Sequence, residues 1–334
     1  EDGIFLSIKS LNSHFSKLIP LLDLIINKPT LSSSQFKIVK KSALNLIKKD
    51  KENPFNICFE KWRKIVYLEN SYAFNSIGYN KDVSSIMYKD VLCEYEKFRN
   101  RKKFLISNNF KINGKILDLF DKEIINETSI VPNCKRSNND RFVSYCFESN
   151  QTIMMLGNQT CSRRSNEYLT LKILESHLSF GMSSALFKLF REKNGITYDI
   201  GVINSIRKNN APFLVYLSVS NNNALLAFDL LTALWKELIY SLITEEEIFL
   251  AKTKLYSSFL LSNQSLDEIL LRKIQLISLG MSPYSDEDPI SKSESITAKD
   301  IQKLMIKYFR KPFLSITGEK KVCRDIKKKW MANF

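Results

Sequence analysis

Histidine and glycine are scarce in this sequence: two His and nine Gly stand among 334 residues. Gly181, followed by Ser183–Ser184, lacks the G-x-x-x-x-G-K-[ST] cradle that a phosphate loop needs. The six cysteines (58, 93, 134, 146, 161 and 323) include no pair at the short C-x₂₋₄-C spacing of a structural zinc site. They are expected to be buried reduced thiols, which suits a reducing compartment such as the cytoplasm. No apolar run reaches the ~18 residues of a spanning helix, because Asp23 and Asp229 interrupt the best candidates. The opening residues Glu1–Asp2–Gly3 show neither Met nor a basic n-region, so no targeting signal is visible, and they read as the interior of a longer chain.

What is present is an ordinary globular balance. An apolar share of 44% and a charged share of 25% exclude a disordered chain and a small disulfide scaffold. Lys and Arg number 50 against 35 acidic residues, a net charge of +15. The basic residues are spread along the whole length, with small clusters at Lys48–Lys51, Arg99–Lys103 and Lys327–Lys329. None lies in an RRM-like or finger-like aromatic pattern, so solvated faces are expected and nucleic-acid binding is not. Four Asn-x-Ser/Thr matches, at Asn126, Asn150, Asn158 and Asn263, are what so Asn-rich a chain yields by chance.

The chain repeats itself. Ser295–Ile301 opens a helix leading to Phe313–Ile316, and Ser85–Val91 opens one leading to a strand at Phe104–Ser107, about 210 residues earlier. Phe213–Tyr216 runs into the apolar helix Ala224–Ile239 as Phe5–Ile8 runs into Phe15–Ile26, at nearly the same offset. Strands are expected at 141–148 and 151–157, bridged by Ser149–Asn150, and again near 197–205, 212–219 and 312–317. Helices are expected at 165–178, 183–193, 223–241, 245–262, 266–279 and 298–309. Strands followed by runs of packed helices indicate an α+β fold whose antiparallel or mixed sheet is covered on one face. The second copy would occupy 140–334, residues 119–139 would be a linker, and 1–118 would be the later part of a first copy lacking about 70 residues at its start.

Gly181-Met182-Ser183-Ser184-Ala185-Leu186-Phe187, followed by Leu189-Phe190-Arg191-Glu192-Lys193-Asn194-Gly195-Ile196-Thr197-Tyr198, resembles the M16 peptidase family, the group of insulinase, pitrilysin and mitochondrial processing peptidase. Ile243–Glu247, Ala251–Lys252, Ser295–Asp300, Asn53–Phe55 and Tyr67–Gly78 resemble its other segments. The resemblance implies two homologous M16-type α/β-sandwich domains of the LuxS and processing-peptidase kind, the first without its N-terminal part. It departs at Phe180-Gly181, where the family has several glycines, and at Asn70-Ser71-Tyr72, where it has His-Pro-Tyr.

Active members of that family hold zinc with an inverted H-x-x-E-H helix and a later Glu. His14 and His177 each lack a partner four residues on, and both read as ordinary helix-end or surface histidines. In the helix Gln35–Ile47, Leu46 stands at the position of the ligand Glu, and leucine has no lone pair to give; Asp50 lies one turn further, about 6 Å along the axis. No metal ligand is therefore expected in this chain, and zinc would belong to a catalytic partner or to a segment upstream.

The resemblance also implies that Arg191 and Tyr198 assist the active site across a chamber, as catalytic residues beside a substrate-binding turn at Gly181, Met182 and Ser183. A guanidinium offers a planar fork of donors to a peptide carbonyl or carboxylate. A phenol O–H can donate to the oxyanion of a peptide bond under attack. Without the resemblance, Arg191 reads equally as a solvated helix residue, Tyr198 as a strand-packing residue and Ser183 as a helix cap. The expectation is a non-catalytic subunit paired with a zinc-bearing M16 subunit, or a homodimer, acting on peptides. The alternatives are an active zinc peptidase with its H-x-x-E-H upstream, and a structural subunit like the respiratory-complex core proteins of this fold.

Overall fold

The computed structural model describes residues 3–68, 70–107, 140–285 and 289–333, and the linker expected at 119–139 lies outside them. No helix among the described residues is long and apolar enough to cross a membrane.

The first segment is helical: α1 (Asn12–Asn27), α2 (Ser33–Asp50), α3 (Pro54–Tyr67), α4 (Asn80–Ser85) and α5 (Tyr88–Arg99). Local chemistry fixes their starts. The Ser32 hydroxyl accepts from the Gln35 amide at α2, and Asn53 caps α3 with Pro54 in the first turn, where a missing N–H costs nothing. The expected strands at Phe5–Ile8 and Phe104–Ser107 do not form: neither stretch joins a ladder among the described residues, and extended backbone becomes a strand only when a neighbour takes its hydrogen bonds.

The second segment carries β1 (Phe142–Cys146), β2 (Gln151–Gln159), α6 (Tyr168–Ser179), α7 (Ala185–Phe187) with a π-helical turn at Lys188–Lys193, β3 (Thr197–Asn204) and β4 (Pro212–Ser220). It continues through α8 (Ala224–Tyr240), α9 (Glu245–Ser262), α10 (Leu266–Ser278), α11 (Pro289–Glu294), α12 (Ala298–Phe309), β5 (Phe313–Gly318) and α13 (Lys320–Asn333). The helices α1, α2, α3 and α5 run 16, 18, 14 and 12 residues, and α8, α9, α10 and α12 run 17, 18, 13 and 12 in the same order.

The five strands form one mixed sheet in the order β1-β5-β2-β4-β3, with β1 parallel to β5 and the other pairs antiparallel. Although Ser149–Asn150 bridges β1 and β2 in sequence, they do not pair; β5 lies between them. All six residues of β5 are buried, so it requires a neighbour on each edge, while the short, half-exposed β1 serves as the edge strand.

Both faces of the sheet are covered, not one. Met154 and Leu156 of β2 belong to the main core with α6, α8, α12 and α13, whereas Ile153 and Met155 turn to the opposite face. There the first segment closes the sheet: Cys58, Trp62 and Val66 of α3 pack on Ile153, Met155, Leu214 and Phe313. The period-two alternation of the strands thus feeds two cores, and α3 joins the segments through the second. The expectation of buried thiols holds for Cys58, Cys161 and Cys323 but fails for Cys93 and Cys146, which are exposed; Cys134 lies outside the described residues.

Candidate functional site

The candidate site lies between the end of α6 and the start of β3. After Ser179 the chain reverses through Phe180 and Gly181, whose φ of +71° is a left-handed conformation favouring glycine. Met182 projects into solvent at 72% exposure, and Ser183 is exposed beside it. The expected cap at Ser183 moves by one residue: Ser184 is the helix-flanking position, its hydroxyl makes no cap bond, and its amide donates to Gly181 O at 3.2 Å. The turn is tightened by backbone rather than by a hydroxyl.

A cleft of about 250 Å³ opens here, lined by Gly181, Met182, Ser184, Leu186, Phe187 and Ile200 among others. Gly181 and Met182, two of the three expected substrate contacts, border it; Ser183 does not. Arg191 is exposed on the π-helical turn, with its guanidinium 5.3 Å from the Phe187 ring centre, so a cleft-lining aromatic carries the cation. Wide turns of this kind are frequent at functional sites. The turn closes when Gly195, with φ +60°, donates its amide to Arg191 O, and Ile196 donates to Phe190 O.

Tyr198 occupies the other irregularity. Thr197 registers with Val219 and Asp199 with Ser218, so Tyr198 is the extra residue of a β-bulge on β3. The Thr197 hydroxyl pins the distortion, donating to Ser218 O at 2.7 Å and lying 3.0 Å from Asp199 O. Arg191 and Tyr198 therefore both stand on backbone departures. Hydrophobic periodicity encodes neither distortion.

His177, in the last turn of α6, is half-buried rather than a surface residue. Burial pushes its pKa below the ordinary value, with Lys254 and Lys188 acting in the same direction and Glu247 opposing them. His14 is exposed in the first turn of α1.

The residues considered for zinc do not fit it. Leu46 is 54% exposed on α2 and offers only hydrocarbon. The Asp50 carboxylate is already engaged, accepting from Asn56 Nδ2 at 2.7 Å and Asn75 Nδ2 at 3.0 Å. Among the described residues, no three His, Cys, Asp or Glu side chains gather as a metal would need.

Residues 114–255, which span the cleft, Arg191 and Tyr198, match the family model described as the Peptidase M16 inactive domain. Over that stretch the chain is similar to the M16 peptidase family. Two "Uncharacterized zinc protease" proteins are similar to it: one from Rickettsia felis at 26% identity over 266 residues, and one from Rickettsia bellii at 23% over 263. Each match covers 76% of this chain and 62% of the relative, so the chain spans less than two thirds of these relatives' length. Among solved structures, a peptidase M16 inactive domain from Pseudomonas fluorescens superposes with a TM-score of 0.79 at 18% identity, covering 92% of this chain and 76% of that one. A protease from Helicobacter pylori gives 0.77 at 14% identity, covering 92% and 77%. A chain of complex III₂ from Candida albicans gives 0.70 at 14%, covering 95% and 79%. At these identities the structures establish the M16 fold and nothing finer.

Proposed function

We propose that this chain is a non-catalytic subunit of an M16-type zinc peptidase, which pairs with a zinc-bearing subunit, walls a peptide chamber and presents Arg191 and Tyr198 to bound peptide. The observation that carries the reading is the cleft beside Gly181 and Met182, whose lining Phe187 ring carries the exposed Arg191 guanidinium, inside the stretch matched by the inactive-domain family. The guanidinium would bind a peptide carbonyl or carboxylate through its planar donors. The phenol would donate to the carbonyl oxygen as negative charge develops on it. Gly181, Met182 and Ser183 would hold the adjacent peptide segment. The matching order and lengths of α1–α3 with α5 and of α8–α10 with α12 support an internal duplication, with a first module ending near residue 118 and a second from 140 to 334.

The test is reconstitution with an M16 subunit that carries H-x-x-E-H and its zinc. Arg191→Ala and Tyr198→Phe should each lower kcat/KM for a model peptide by about 10²-fold if they contact the reacting carbonyl. Unchanged rates in both variants, with the complex intact, would reject the role. A second reading, an active zinc peptidase, is favoured by the names of the Rickettsia proteins. It requires about one zinc per chain in the complete gene product.

A further inference from the structure

We propose that Cys146 and Cys323 are a redox modification site: a dithiol that closes to a disulfide under peroxide and ties β1 to α13. Strand alternation places the first thiol. The Phe142 ring lies 6.4 Å from the ring of Trp330 on α13, so Phe142, Ser144 and Cys146 share the α13 face of β1. Tyr145 points the other way, beneath Lys61 Nζ of α3 at 5.2 Å.

Helix rise places the second. From Trp330 back to Cys323 α13 advances about 10 Å, and from Phe142 to Cys146 the strand advances about 13 Å, so Cys323 stands level with the C-terminal end of β1. Its Sγ confirms that level. It donates to Gly318 O at 3.6 Å and to Tyr145 O at 3.8 Å; Gly318 is the residue in register with Cys146, and Tyr145 immediately precedes it. Cys58 is sealed beneath α3 on the opposite face of the sheet, where its Sγ donates to Ser315 O.

The two thiols differ in a way that orders the chemistry. Cys146 is exposed, while Cys323 is 2% exposed and burial pushes its thiol up to about 11. Cys146 is therefore the attacking sulfur. Its thiolate attacks hydrogen peroxide: an S–O bond forms as the O–O bond breaks, the sulfur becomes a sulfenic acid, and the expelled hydroxide takes up the proton the thiol released, leaving as water. The Cys323 sulfur then attacks Cys146, the S–O bond breaks as the S–S bond forms, and the departing hydroxide takes the Cys323 proton as a second water. Peroxide is reduced to two waters and the two thiols are oxidised to one disulfide. A dithiol reductant reverses the last step.

The experiment uses the full chain with Cys93→Ser and Cys134→Ser, treated with hydrogen peroxide, quenched with maleimide and mapped by mass spectrometry under non-reducing conditions. The expected product is a Cys146–Cys323 linked peptide, a loss of about 2 Da from the monomer and of two reactive thiols, all restored by dithiothreitol. The linked form should also unfold at a higher temperature, because the cross-link constrains the unfolded chain. Cys146→Ser, a surface change that leaves the core intact, should abolish the linkage and leave Cys323 unmodified until the protein is unfolded. Over-oxidation of Cys146 to sulfinic acid, or an intermolecular Cys146–Cys146 dimer, with Cys323 still a thiol, would overturn the proposal.

Discussion

The Arg207 guanidinium lies 4.4 Å from the centre of the Tyr72 ring, and the Tyr67 ring stands on it at 5.2 Å. Arg207 comes from the β3–β4 connection, and the two tyrosines from the end of α3 and the turn after it. One buried cation thus fastens the helical segment to the sheet-bearing segment. A desolvated cation–π contact is worth about 2 kcal/mol. Arg207→Met and Tyr72→Leu should each destabilise the chain, and the double variant should cost about 1–2 kcal/mol less than their sum in urea unfolding. Strict additivity would show that the ring and the guanidinium do not act as a pair.

Trp62 and Trp235 are both sealed in cores but differ at the indole nitrogen. Trp235 Nε1 donates to Phe309 O at 3.1 Å, whereas Trp62 Nε1 has no partner among the described residues. Phenylalanine at 235 strands a buried carbonyl, while at 62 it removes a donor that is already unsatisfied. Trp235→Phe should therefore cost about 1–2 kcal/mol more than Trp62→Phe. Trp62→Ala, which empties the contact between α3 and the sheet, should cost about 3–5 kcal/mol. Denaturant midpoints at constant m-value measure all three.

At Gly181 a methyl group would touch nothing within 4 Å, so the only obstacle to a side chain is the left-handed backbone. Gly181→Ala should lose about 1 kcal/mol of stability. Gly181→Asn should lose less, because asparagine tolerates that conformation. A larger loss for Asn than for Ala would mean that space rather than φ governs the turn.

His177 makes stability depend on pH in a defined direction. Its pKa in the folded chain is depressed below the ordinary 6.5, so between the two values the unfolded chain binds the extra proton. Stability therefore rises toward neutral pH and falls as the pH drops from about 6.5 toward the folded value. In His177→Gln that slope should flatten. The carboxylates held low by their partners, Glu167 and Glu247, act in a separate window below their ordinary 4.5. An unchanged slope just below pH 6.5 in urea titrations of the variant would contradict this assignment.

Local signals in the sequence carried far. The helix expected at 245–262 is α9 to the residue, because Thr244 and Glu247 form a capping box: Thr244 Oγ1 accepts from the Glu247 amide and the Thr244 amide donates to Glu247 Oε2. Thr297 and Asp300 do the same for α12, also read to the residue. Partner choice was not legible. Nothing near Ser149–Asn150 says that β5, over 150 residues later, will divide β1 from β2. The apolar stripe of α3 marks a buried face without naming the sheet it meets. At the site, the π-helical turn under Arg191 and the bulge at Tyr198 depend on neighbours that no short window contains.

The most direct measurement is made on the complete gene product, purified alone: its zinc content, and its cleavage of a quenched fluorescent peptide before and after adding a zinc-bearing M16 subunit. A non-catalytic subunit holds well under one zinc per chain, cleaves nothing alone and gains activity only in the mixture. About one zinc per chain together with peptide cleavage by the isolated protein would contradict the account.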